Sequence, residues 1–165
     1  MDIDRDLLRL ALQEQLLQPT AFTEATAWTL GSRIKALCEA RQLAVAIEVR
    51  RASQTLFFYS MPGATPNHAD WARRKRNSVE LFQRSSYALG LGYQKEGSTL
   101  EQKLGLPTRD YANHGGSFPI RVPGTGCIGA LTVSGLPQRD DHALVVQALA
   151  ELCGIPLPDV ALDRA

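Results

Sequence analysis

The residues of this chain best suited to chemistry are His114-Gly115-Gly116, a histidine beside two glycines just ahead of a stretch with strand character. An imidazole binds metals and shuttles protons near neutral pH. Flanking glycines let a ligand approach the backbone closely. The same histidine also suits a hydrogen-bonded turn, and no second ligand follows at metal-site spacing, so no metal site is expected. His68 and His142 carry no spacing signature of their own.

Lys75 is the second candidate. A helix over Asp70–Leu89 puts Trp71, Val79, Phe82 and Leu89 on one face and Arg73, Arg76, Glu80 and Arg84 on the opposite one. Lys75 falls in the middle of the apolar arc. Its stem either packs on Trp71 with the ammonium at a rim or subunit interface, or its charge lines an anion or substrate pocket. Asn77 lies close by. Arg73-Arg74-Lys75-Arg76 resembles a nucleic-acid patch, but it sits in an amphipathic helix of a chain with net charge +1. A solvated or interfacial face is expected there rather than nucleic-acid binding.

Ser134, in Val133-Ser134-Gly135-Leu136-Pro137, stands where a strand passes into a helix. It lacks the Gly-x-Ser-x-Gly elbow of hydrolases and suits capping better than nucleophilic attack. Backbone N–H groups at that helix start could hold an anion, with Asp140 and Asp141 competing for the same positive end. Gly124-Thr125-Gly126-Cys127-Ile128-Gly129 matches the dinucleotide fingerprint letter for letter, but strand rather than helix follows it. Its glycines therefore read as a hairpin turn, at Gly124 and Gly126, and a close-packing point at Gly129.

The elements that position these residues follow from periodicity. A first helix over Asp4–Leu17 carries the stripe Leu7, Leu8, Ala11 and Leu12, within an N-terminal segment 1–20 closed by Pro19. A second helix starts near Thr23, with Ala27, Leu30, Ile34 and Leu37 along one side. Leu43–Arg50 alternates with Leu43, Val45, Ile47 and Val49 inward, and Thr55–Tyr59 returns as the second strand of a hairpin. Met61–His68 reads as a loop. Ser98 and Glu101 suggest a capping box for a short helix over Thr99–Leu104. Strands at Ser117–Val122 and Cys127–Ser134 flank Pro123-Gly124, and a last helix runs from about Pro137 to Gly154, burying Leu144, Val145, Ala148, Leu149 and Leu152. Helices, a hairpin, helices, a hairpin and a helix make an α+β fold with a mainly antiparallel sheet in one domain spanning 1–165.

At 165 residues, with 44% apolar and 21% charged residues, the chain can bury a real core. Its apolar runs are too short to cross a bilayer, and its acidic start does not read as a secretory signal. Cys38, Cys127 and Cys153 are odd in number and widely spaced, which fits reduced, buried thiols and a cytoplasmic protein.

Together, Trp71-Ala72-Arg73-Arg74-Lys75-Arg76-Asn77, His114-Gly115-Gly116-Ser117-Phe118-Pro119-Ile120 and Val133-Ser134-Gly135-Leu136-Pro137 resemble an uncharacterised cytosolic branch of the haem-degrading-domain superfamily, which holds GlcG-like and HbpS-like proteins. The resemblance implies a profilin-like fold and a symmetric homo-oligomer. Some relatives bind and slowly degrade haem, and others have no assigned activity. The chain has no Glu-x-x-Glu pair of the kind that binds iron in some haem-binding relatives.

The leading expectation is a small-molecule pocket for haem or another anionic ligand. Lys75, Asn77, His114, Gly115, Gly116 and Ser134 would line it, with His114 as the candidate axial ligand and Lys75 near the propionates. The rival is a non-enzymatic assembly protein that uses the strand Leu56-Phe57-Phe58-Tyr59 and the basic helix for subunit contacts. No catalytic set of nucleophile, base and orienting acid can be nominated, and neither nucleic acid nor membrane is an expected partner.

Overall fold

The computed structural model describes residues 2–163. Its elements run α1 (Ile3–Leu16), α2 (Glu24–Arg41), β1 (Ala46–Arg51), β2 (Gln54–Ser60), α3 (Pro66–Phe82), α4 (Ser86–Lys95), α5 (Leu100–Leu104), β3 (Ser117–Val122), β4 (Gly126–Ser134), α6 (Gln138–Cys153) and α7 (Leu157–Val160). The four strands form one antiparallel sheet in the order β2-β1-β4-β3. The sheet flanked by helices is the expected α+β single domain. The two hairpins pair through β1 and β4 at the centre, leaving β2 and β3 as edges.

One face of the sheet is apolar. Ile47 and Val49 from β1, Leu131 and Val133 from β4, and Phe118 and Ile120 from β3 pack with Leu30 and Ile34 of α2 and with Val145 and Leu149 of α6. The α2 stripe Ala27, Leu30, Ile34 and Leu37 is buried as its spacing predicts. Gly129 of β4 faces the central strand so closely that a Cβ would lie 1.9 Å from the Arg50 carbonyl oxygen, which explains its small size.

The other face is polar, and α3 lies across it. Strand alternation places Glu48 and Arg50 on this side. Arg76 of α3 donates to Glu48 at 2.7 Å, with both side chains buried, and Glu80 lies 3.4 Å from Arg50. The reading of Arg76 as part of a solvated face is thus corrected: the sheet covers it, because a second layer exists where strand alternation alone suggests solvent. Of the basic run, Arg73 pairs with Asp70 and Asp110, and Arg74 donates to the Thr108 carbonyl.

Three boundaries differ from the sequence reading. The helix over Asp70–Leu89 is two helices. α3 begins earlier, with Pro66 in its first turn, and ends at Gln83, whose φ of +54° is left-handed. Ser85 then caps α4, accepting from the Ala88 N–H, while its own N–H donates to Glu14 of α1 at 2.8 Å. The break has no Gly or Pro signal because a contact from α1 holds it. In the short helix α5, Thr99 rather than Ser98 is the cap, accepting from Gln102 at 3.1 Å. In α1 the buried face is Asp6, Leu10 and Gln13, whereas Leu8 is 75% exposed. Polar anchors decide that rotation. Asp6 pairs with Arg139 at 2.6 Å, and Gln13 donates to the Val160 carbonyl at 2.7 Å.

Candidate functional site

Three separated segments enclose a cavity of about 330 Å³. The first two turns of α3 bring Asn67, His68 and Trp71, with Lys75 one turn further along. The chain entering β3 brings His114 and Gly115. The turn from β4 into α6 brings Ser134, Gly135, Leu136, Gln138 and Asp141. Residues 68, 71 and 75 share a side because α-helical neighbours recur every three to four positions.

Lys75 is the brace between these segments. It is 2% exposed, and its Nζ donates to the Gly115 carbonyl at 3.0 Å, the Val133 carbonyl at 2.8 Å and Asp141 Oδ2 at 3.0 Å. An ammonium has three N–H donors, so all are engaged. Asp141 also accepts from the N–H groups of Gly135 at 3.2 Å and Leu136 at 3.0 Å. Burial pushes the Lys75 ammonium below the usual lysine range and the Asp141 carboxyl above the usual carboxylate range, while their mutual attraction opposes both shifts. Gly116 has φ +126°, and a Cβ there would lie 2.5 Å from Lys75 Nζ and 2.3 Å from the Val133 carbonyl oxygen. The brace itself requires glycine at that position.

His114 stands exposed at the cavity mouth. Its ring meets Trp71 edge-on at 5.0 Å, and the Arg74 guanidinium covers Trp71 at 4.1 Å. Partial loss of water, then the positive charges of Lys75 and Arg74, hold the imidazole below its ordinary pKa. At neutral pH it is uncharged and keeps a lone pair for a metal centre or a hydrogen-bond donor. Its neighbour Gly115 is fixed from the other side, since its N–H donates to Gln138 Oε1 at 3.1 Å.

Of the residues expected from sequence, Lys75, His114, Gly115 and Ser134 therefore line one cavity. Gly116 lies behind Gly115, against the brace. Asn77 points elsewhere. Its amide donates to the Asp110 carbonyl at 2.9 Å, its carbonyl oxygen accepts from Arg76, and it does not line the cavity. Sequence reasoning missed His68, Trp71, Gln138 and Asp141 as lining residues. Starting the helix at Pro66 would have revealed the first, because His68 then joins Trp71 and Lys75 on one face. Among the described residues, no group of three His, Cys, Asp or Glu side chains is placed to hold a metal ion.

Residues 22–150 match the family model described as haem degrading protein HbpS-like. The chain belongs to this HbpS-like family. Relatives within reach of full-length alignment include a UPF0303 protein of Azotobacter vinelandii, 55% identical over 164 residues and covering 99% of each chain. A second, from Serratia proteamaculans, is 52% identical over 160 residues, covering 97% of this chain and 99% of its own. Among solved structures, Ybr137w superposes with a TM-score of 0.83 at 27% identity, over 93% of this chain and 92% of that one. A PduOC:haem complex superposes at 0.67 with 19% identity, over 79% and 94%, a likeness of fold. No helix among the described residues is long and apolar enough to cross a membrane.

Proposed function

We propose that this HbpS-like chain is a small-molecule binding protein that takes haem, or another anionic ligand, in the cavity between α3, the entry to β3 and the β4–α6 turn. The observation that carries this reading is the convergence of His114, Gly115, Ser134 and Lys75, from three distant segments, on one cavity wall. At about 330 Å³ the cavity lies at the small end of the range for ligand sites. His114 is neutral, exposed and backed by Trp71, as an axial ligand to haem iron needs to be. Gly115 leaves the approach free of a side chain. Lys75 contributes by holding that wall rigid, since its donors are already engaged. The kinship with haem-degrading proteins and the haem held by PduOC support the choice of ligand. The unpaired cysteines fit a reducing, cytoplasmic setting.

Hemin titrated into the protein at neutral pH is expected to give a sharpened, shifted Soret band, and His114→Ala is expected to weaken binding about tenfold or more. An unshifted parent spectrum would remove haem, and an unchanged variant would remove His114 from the role.

A second reading, assembly as the function itself, has its own observation. Trp28 is 67% exposed against Phe57 of the edge strand β2, where Phe58 and Tyr59 are also exposed. Exposed aromatic side chains at a sheet edge suit a subunit contact. Light scattering at micromolar concentration is expected to report a homo-oligomer, with Trp28→Glu shifting the mass downward. A monomeric parent would end this reading.

A further inference from the structure

We infer that His68 receives the carboxylate of the ligand, in a seat completed by the open N-terminus of α3 and the Ser134 hydroxyl. This inference rests on the cavity being the ligand site. Two helices direct their N-termini there, and they differ. At α6, Asp141 already accepts from the Gly135 and Leu136 N–H groups. The first turn of α3 has no acidic residue, Pro66 offers no N–H, and the Asn67 N–H has no hydrogen-bond partner among the described residues. The His68 N–H turns back to the Thr65 carbonyl at 3.0 Å, so the Asn67 N–H is the donor this positive end leaves open, with no acidic side chain in the turn to offset it.

His68 adds a donor whose identity is set by its neighbour. The Thr65 backbone N–H donates to His68 Nδ1 at 2.8 Å, so the neutral ring carries its hydrogen on Nε2. That N–H has no partner among the described residues, and the ring lines the cavity. Ser134 supplies the independent observation. It is 4% exposed and lines the same cavity, yet its hydroxyl makes no hydrogen bond among the described residues. The hydroxyl keeps a face open to the cavity, where a ligand can meet it as donor or acceptor. With Lys75 saturated, these donors and the helix end are available to an anion in the cavity. A carboxylate, with two acceptor oxygens, fits them, whether it is a haem propionate or a free small acid.

The test replaces His68 without losing the start of the helix. Glutamate and glutamine at this third helical position both accept from the Thr65 N–H, as in a capping box. Glutamine keeps a donor toward the cavity, whereas glutamate presents negative charge. With hemin as probe, His68→Glu is expected to weaken binding about tenfold or more, and His68→Gln by no more than about threefold. Hemin dimethyl ester, which lacks free carboxylates, is expected to bind the parent and His68→Glu alike. In parallel, benzoate is titrated against ¹⁵N-labelled protein, where shifts at Asn67 and Ser134 that vanish in His68→Glu support the seat.

Should benzoate give those shifts while hemin fails to bind, the haem reading falls and the carboxylate seat stands. Should His68→Glu bind both probes as the parent does, or neither probe perturb the parent, the inference is overturned.

Discussion

Lys75→Met is expected to destabilise the protein by about 3–5 kcal/mol, because it leaves the Asp141 carboxylate buried without its cation. For a chain of this size that corresponds to a fall in Tm of roughly 6–20 °C. The Gly115 and Val133 carbonyls lose their donor in the same step. Attraction between two buried charges need not exceed the cost of removing both from water, so the intact pair need not be strongly stabilising. Breaking one side is nonetheless costly. Lys75→Met combined with Asp141→Asn is therefore expected to be less destabilised than the two single changes added together, by about 0.5–3 kcal/mol. Asparagine can still accept from Gly135 or Leu136 but carries no charge. Urea unfolding of the four proteins measures the cycle, and strict additivity would show that the two residues do not act as a pair.

The second large effect is acid sensitivity centred on His142. This side chain is buried, and its rings of contact are Tyr87 and Phe118. Gln13 donates its amide hydrogen to Val160, so its Oε1 must accept from His142 Nε2–H at 2.8 Å. His142 Nδ1 is then a buried lone pair with no partner among the described residues. Burial first, then the positive charge of Arg139, lower the pKa to about 3; Asp6 opposes them, and Lys75 adds a smaller push in the lowering direction.

The folded state thus binds a proton less readily than the unfolded chain, whose histidine titrates near ~6.5. Between about pH 6.5 and 3 the unfolded state holds more protons, so stability is intact above that window and falls as pH drops through it. Going from pH 7.5 to 4.5 is expected to cost about 3 kcal/mol from this group alone. His142→Gln keeps a donor for Gln13 and does not titrate, so its urea-unfolding free energy should lose most of that slope. An identical slope in the variant would assign the acid sensitivity to other groups. Because Gln13 belongs to α1, loosening of that helix should accompany the loss.

Both effects involve residues whose types were plain in the sequence but whose partners were not. Lys75 stood out as a cation on an apolar arc, which left open whether it reached a rim or a pocket. Asp141 was legible as an acid at a helix start. Nothing local joined them, since 66 positions separate the two. Arg76 was misread for the same reason. Its partner Glu48 lies on a strand whose outer face could equally have met water, and only the crossing of α3 buries both. The break at Gln83 likewise depends on Glu14, 71 positions before Ser85 in the chain.

What the sequence determined by itself was the four strands in their two hairpins, the first, second and last long helices, the apolar face of the sheet, the glycine turns and the family, because periodicity and turn chemistry are local properties of neighbouring residues. The tertiary structure alone decided that His68, His114 and Ser134 meet at one cavity, that Lys75 is held by Asp141, and that Asn77 faces away. Those outcomes depend on which surfaces come together, and burial gives a charge or hydroxyl its partner only after distant segments have packed.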